Sequence, residues 1–233
     1  MRRSVRAGGM VIEYELIQTA RSSVEIRVLP GEVRLFTPHG YPLKQADRAV
    51  ADKIDFILSA RGRLEAYRAA ENEKYPMTDG MPVPLEGKTL ALRLVRGTPE
   101  RMRIEGDALI LRAGDVSPDG VREALRRQLV ALASERISQR VEHYIPLIGR
   151  RPGRITIREQ RTKWGSCSSQ GNLNFNWKLI MAPKEALDYV VIHELCHLYE
   201  FNHSDRFWAR VARYQPDYAV WRGFLRSGWA HPF

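Results

Sequence analysis

The spacing of hydrophobic and polar positions changes several times along the chain, and each change marks an element. Val11 to Ile17 and Val24 to Leu29 alternate or carry β-branched side chains, and Val33–Phe36 follows a Pro30-Gly31 turn, so the chain is predicted to begin in β structure. From Gln45 to about Glu71 the spacing becomes helical, with Ala46, Ala49, Val50, Ile54, Ile57 and Leu58 on one face. The breakers Pro76, Gly80, Pro82 and Pro84 end that stretch. Thr89–Val95, Arg101–Ile104 and Ala108–Leu111 then read as three strands, separated by Gly97-Thr98-Pro99 and Gly106-Asp107, which predicts a meander. A long helix is predicted from Pro118-Asp119-Gly120 to Pro146, because Val121, Leu125, Leu129, Leu132, Ile137 and Val141 recur at helical spacing.

Beyond it, Ile155-Thr156-Ile157 is a short strand leading into a polar loop over residues 162–167. Leu173, Phe175, Trp177 and Leu179 alternate with Asn174, Asn176 and Lys178, which predicts a strand over residues 173–180. Ala182-Pro183 closes it and opens a helix from Lys184 to about Glu200, followed by two shorter helices, 204–214 and 217–226, divided by Pro216. No internal repeat is visible. The expected fold class is α+β. A flexible tail (1–10) precedes an N-terminal β-rich subdomain with one helix (11–117). A C-terminal domain follows (118–233), with a small sheet, the helix from Lys184 and short C-terminal helices.

Composition narrows the setting. At 233 residues, 44% hydrophobic, the chain can bury a sizeable core without metals or disulfides. No apolar run approaches the roughly 18 residues of a membrane span, and the basic N-terminus has no apolar stretch of signal-peptide length behind it. The two cysteines, Cys167 and Cys196, make no disulfide framework, so a cytoplasmic location is expected. The net charge of +10 suits nucleic acid, an acidic substrate or an anionic surface, and suits an arginine-rich proteome equally.

The candidate chemistry lies in His193-Glu194-Leu195-Cys196-His197. Four residues of α-helix advance about 400°, so the two histidines stack on one face and can share an ion. Glu194 is rotated about 100° from His193, beside that face, where it can handle a water proton without ligating the metal. Burying two histidines and a carboxylate without a metal would be costly, and a purely structural zinc would lean on cysteine. The candidate third ligand is His203. In an unbroken helix it would point about 240° away from His197, so the helix must end near Phe201-Asn202, with Asn202 a candidate left-handed residue. Glu200 is the alternative ligand. The spacing of the three histidines equals that of the metzincins, but position 200 is Glu where those enzymes have Gly, and no Met follows Met181.

Thr162-Lys163-Trp164-Gly165-Ser166-Cys167-Ser168-Ser169, Asn172 to Trp177, Asp188 to His197 and Asn202-His203-Ser204 through Phe207-Trp208 together resemble the YgjP-like family. This group is assigned by motif as zinc metallopeptidases, related in pattern to SprT-like and WLM proteases. The match is dense over about residues 150–227 and looser upstream. It implies a zincin-like region with His193, His197 and His203 on Zn²⁺ and Glu194 as catalytic acid/base.

The expected function is a zinc-dependent hydrolase, first a metallopeptidase aligning an extended peptide on the 173–180 or 155–158 strand. Lys163, Trp164, Arg161 and Asn176 are candidate substrate-binding residues, although Trp164 also suits a loop anchor and Asn176 a turn. Arg150, Arg151, Arg154, Arg158 and Arg161 form a basic strip able to hold phosphates, with a solvated basic face as the plainer reading. That strip keeps two further functions in view: a phosphoester or nucleotide (pyrophosphate) hydrolase, and a nucleic-acid-binding protein with structural zinc.

Overall fold

The computed structural model describes residues 1–29, 31–160 and 162–227. The chain is α+β and forms two compact units, Met1–Lys74 and Tyr75–Phe233.

The first unit is a four-stranded sheet, β1 (Arg2–Ala7), β2 (Met10–Thr19), β3 (Glu25–Leu29) and β4 (Glu32–Pro38), in the order β1-β2-β4-β3. Residues 2–7, expected to be a tail, are therefore a strand. Gly8 and Gly9, at φ 57° and 77°, supply the left-handed pair that a two-residue hairpin requires, and Arg2–Ala7 pairs with Met10–Glu15. The strand is held from the other side as well. Arg3 donates to both Asp47 carboxylate oxygens at 3.0 and 2.7 Å, and the Tyr14 hydroxyl donates to the same group at 2.7 Å. Asp47 lies in α1 (Leu43–Ala51), which a turn at Asp52–Lys53 separates from α2 (Ile54–Lys74), so the single predicted helix is two. Ile12, Tyr14, Leu16, Val33 and Leu35 of the sheet form one core with Ala46, Val50 and Ile57 of the helices.

The second unit opens with β5 (Pro82–Leu85), β6 (Lys88–Arg96), β7 (Arg101–Glu105) and β8 (Ala108–Ala113), ordered β5-β6-β8-β7. This is not the predicted meander. β8 buries every second residue and takes the central place, parallel to β6, while the mostly exposed β7 is left at the edge. Both sheets thus share one plan, two hairpins joined through a parallel central pair. That is a structural repeat which the residues do not display.

Helix α3 (Pro118–Ile148) begins where Ser117 Oγ accepts from the Gly120 N–H at 3.2 Å with Pro118 at the first helical position, and it ends at Gly149 in the left-handed conformation. A three-stranded sheet follows, β9 (Ile155–Arg158), β10 (Gly165–Cys167) and β11 (Leu173–Asn176), ordered β10-β11-β9. The segment expected to be a loop is thus partly an edge strand, and β11, expected to offer an edge, is central. β11 is also shorter than predicted. Asn176 Oδ1 accepts from the Lys178 N–H at 3.2 Å and turns the chain into a 3-10 helix over Trp177–Met181, in which Trp177, Leu179, Ile180 and Met181 are all buried. The chain continues as α4 (Lys184–Cys196), α5 (Asp205–Tyr214) and α6 (Tyr218–Arg226). Arg140 of α3 clamps Asp188 of α4 through two hydrogen bonds of 2.5 and 2.9 Å. Leu90, Leu92, Leu109 and Leu111 belong to the same core as Leu125, Leu129 and Val191. The sheet that sequence assigned to residues 11–117 therefore packs within the unit that carries the metal helix. No helix among the described residues is long and apolar enough to cross a membrane.

Candidate metal centre

Helix α4 is buried from Ala186 to Cys196 except at His193, which opens onto a cleft of about 730 Å³. The helix ends earlier than predicted. His197 is its C-cap, turns follow over residues 197–199, and no positive φ occurs at Asn202. The chain reverses without a left-handed residue because the first free carbonyls of the helix end are used locally: Leu195 accepts from the Leu198 N–H and Cys196 from those of Tyr199 and Glu200. Arg150 donates to the Leu198 carbonyl, and the Tyr199 hydroxyl donates to Ile148 O at 3.1 Å, which fastens this turn to the end of α3.

The reversal brings His203 Nε2 to 3.0 Å from His193 Nε2, which lies 3.1 Å from His197 Nε2. The three ligand atoms fall within 4.8 Å of one another and form the one such cluster among the described residues. A tetrahedral ion with metal–nitrogen bonds of about 2.0 Å needs nitrogen–nitrogen edges of about 3.3 Å, close to the two separations from His193. The ring of His197 is fixed in the required tautomer, because its Nδ1 lies 2.9 Å from the Glu200 carbonyl and can only donate to it. The Nε2 lone pair is then free to face the centre. The Tyr189 hydroxyl sits 3.5 Å from His193 Nδ1 in the same role. Phe207, fully buried, lies beneath all three imidazoles with ring centroids 4.5 to 4.9 Å away, and Trp208 stacks on His203.

Burial and mutual repulsion keep these rings neutral. Burial first, then His197, His203 and Arg222, push His193 down to about 3. His197 and His203 are lowered for the same leading reason. Neutral imidazole is the form that ligates. Glu194 shows the opposite response: burial drives its carboxyl up to about 8, against the pull of Lys163. Its Oε2 is buried with no hydrogen-bond partner. The space around it depends on Gly165 of β10, where an added Cβ would lie 2.6 Å from Glu194 Oε1 and 2.7 Å from its Cγ. A buried carboxyl group left unpartnered beside three converging imidazole nitrogens suits a metal site with an open position, so the residues fit a metal ion.

The remaining sequence candidates divide. Lys163 and Trp164 line the cleft, and Trp164 Nε1 donates to Leu225 O at 3.2 Å, which ties its loop to α6. Asn176 is not among the residues that line the cleft. It is 4% exposed and its amide donates to Gln160 O and Lys163 O, so it holds the loop that carries Lys163. Arg161 lies outside the described residues. Glu200 pairs with Arg206 at 3.1 Å, outside the cluster, and serves through its carbonyl. Arg150, Arg151, Arg154 and Arg158 do not line the cleft. Arg151 pairs with Glu142, and Arg150 lies over Tyr199. The cations that do line it are Lys163, Arg222 and Arg226. Sequence reasoning missed Tyr189, although it falls four residues before His193 on the same helix face. It also missed Gly165, Arg222 and Arg226, whose places depend on how the chain folds back.

The family profile described as YgjP-like, metallopeptidase domain matches residues 22–227. The metallopeptidase zymogen of Pyrococcus abyssi abylysin is 28% identical over 33% of this chain and 76% of its own, at TM-score 0.31. The metallopeptidase zymogen of Methanocaldococcus jannaschii jannalysin is 20% identical over 39% of this chain and 94% of its own, at TM-score 0.35. No curated protein matches. With most of its length matched by one profile and three imidazoles gathered where a metal could bind, the chain belongs to the YgjP-like metallopeptidase domain family, a family of hydrolases.

Proposed function

We propose that the protein is a zinc metallopeptidase in which His193, His197 and His203 hold the ion and Glu194 is the general base. The observation that carries this reading is the convergence of three neutral Nε2 atoms beside a buried carboxylate with an unpartnered oxygen. Zinc fits the donor set, since three imidazoles with no thiolate leave one coordination position open. A zinc ion there supplies Lewis acidity, making a coordinated water acidic near neutral pH and polarising the bond to be cleaved. Glu194 takes the proton of the attacking water at its free Oε2 and returns it to the departing amine. A cation close by lowers the carboxyl from about 8 toward neutrality, the range in which one group can both accept and release a proton. Tyr189 and the Glu200 carbonyl hold the His193 and His197 rings in orientation. β10 has a partner strand on one side only, and its Gly165 lines the cleft, so its other edge offers main-chain groups to an extended substrate.

A phosphoester or nucleotide hydrolase is the second reading, favoured by Lys163, Arg222 and Arg226 in the cleft. Zinc-loaded wild type and Glu194→Gln, assayed in parallel on peptide and nucleotide panels, separate the two. Peptide cleavage is expected, reduced about 10²- to 10⁴-fold in the variant with zinc retained. Nucleotide turnover without peptide cleavage, or full turnover by the variant, would overturn the proposal.

A further inference from the structure

Among the described residues, the cleft is lined by one acidic side chain, Glu194, and by the cations Lys163, Arg222 and Arg226. Arg222 and Arg226 lie one turn apart on α6 and both reach the cleft, while Lys163 enters from the segment between β9 and β10. None of the three has an ion-pair partner among the described residues, whereas Arg3, Arg127 and Arg140 elsewhere in the chain do. Arg222 is held in place without one: its guanidinium lies 4.4 Å from the centroid of Trp208, which itself stacks on His203 and, at 5.2 Å, on Tyr218. A guanidinium lying on a ring keeps its N–H edge free for a planar, two-oxygen partner. Three unpaired cations along one cleft repel each other, a cost that an anion bound between them removes.

We propose that Arg222 and Arg226, with Lys163 facing them, form an anion subsite beside the metal centre, which directs the enzyme to peptides bearing a carboxylate close to the cleaved bond. The carboxylate comes from an Asp or Glu side chain or from a free C-terminus. A carboxylate fits the fork of the ring-held Arg222, and Arg226, exposed and one turn on, takes up longer or second carboxylates. This inference rests on the peptidase reading above and goes beyond it by naming the substrate class.

The test uses zinc-loaded full-length protein and two readouts. Binding is measured by calorimetry on Glu194→Gln protein with three matched peptides: acidic and C-terminally amidated, neutral with a free C-terminus, and neutral and amidated. Cleavage of the same peptides is measured on wild type. At least one carboxylate-bearing peptide is expected to bind about tenfold or more tightly than the neutral amide, and which one it is identifies the source of the carboxylate. In Arg222→Gln and in Arg226→Gln that ratio should collapse toward one, and in Arg226→Glu the preference should move toward Lys-containing peptides. Arg103→Gln, a charge removed from β7 outside the cleft, should leave the ratio intact. Arg226 is exposed, so its variants fold even if Arg222→Gln does not. Equal binding of all three peptides, or a preference that survives both arginine variants, overturns the subsite. A nucleotide that displaces the acidic peptide and is hydrolysed in its place overturns the peptide assignment. Failure of the peptidase reading looks different: the binding preference is present but wild type cleaves none of the peptides.

Discussion

The two four-stranded sheets are built alike and used differently. Each joins two hairpins through a parallel central pair, β2 with β4 and β6 with β8. In the first unit the sheet is sealed by its own helices, and the core of Ile12, Leu35, Val50 and their neighbours ends there. In the second, the core continues from Leu92 and Leu111 through α3 to Val191 and Leu195 on the metal helix. The bidentate Arg–Asp pairs repeat the contrast, since Arg3–Asp47 fixes an edge strand to α1 whereas Arg140–Asp188 fixes α3 to the helix bearing His193. One architecture can thus be a closed module or a platform, and chemistry appears only where the core extends to a helix with ligands.

The comparison is broken most forcefully by equivalent core deletions. Leu35→Ala and Leu111→Ala remove fully buried leucines from corresponding central strands and should each cost about 2–5 kcal/mol. Only Leu111→Ala should also weaken zinc binding, because only its core reaches α4. Calorimetric unfolding with and without zinc decides, and an equal loss of zinc affinity in Leu35→Ala would dissolve the distinction between module and platform.

A second effect, on the order of a few kcal/mol, concerns pH in the metal-free protein. Glu194 has a folded value raised to about 8, so its contribution is complete below the ordinary carboxyl value of 4.5 and is lost as pH rises toward 8. His193 is depressed to about 3, so its contribution is complete above 6.5 and is lost as pH falls toward 3. Chelated protein should therefore be most stable near about pH 6, and Glu194→Gln should abolish the decline on the alkaline side while leaving the acid limb. The same alkaline slope in the variant would show that Glu194 is not the group responsible. In the first unit the carboxyl of Asp47 shifts the other way, lowered by Arg3 and Tyr14.

Smaller again is Gly165→Ala. Its Cβ must push the Glu194 carboxylate aside, and a displacement near 1 Å should lower kcat about 10²-fold while zinc affinity, set by histidines that Gly165 does not touch, stays within a few-fold. Unchanged kcat would mean that the carboxylate position is not critical.

How far these features could be read from sequence follows their range. The start of α3 near Pro118 and the His193–His197 pair are local signals and were legible, whereas the helix runs past Pro146, its expected end, and stops at Gly149. Gly8-Gly9 was an equally local hairpin signal, but it was overlooked behind a basic segment that looked like a tail. The β6–β8 pairing was not legible, because alternation states which face of a strand is buried and not which strand lies beside it. Asn176 was legible in part: a turn role was in view beside a substrate role, and its side chain does cap a turn, although the alternation carried the predicted strand past it. The limit on pairing also hid Arg222 and Arg226, which reach the cleft only because α6 packs on α4.

The most direct test of the central claim is X-ray absorption spectroscopy on zinc-loaded protein. The account predicts three imidazole nitrogens at about 2.0–2.1 Å with the remaining position held by a light solvent-derived atom, and loss of one imidazole in His203→Ala. A sulfur neighbour from Cys167 or Cys196, or an unchanged spectrum in His203→Ala, would contradict it.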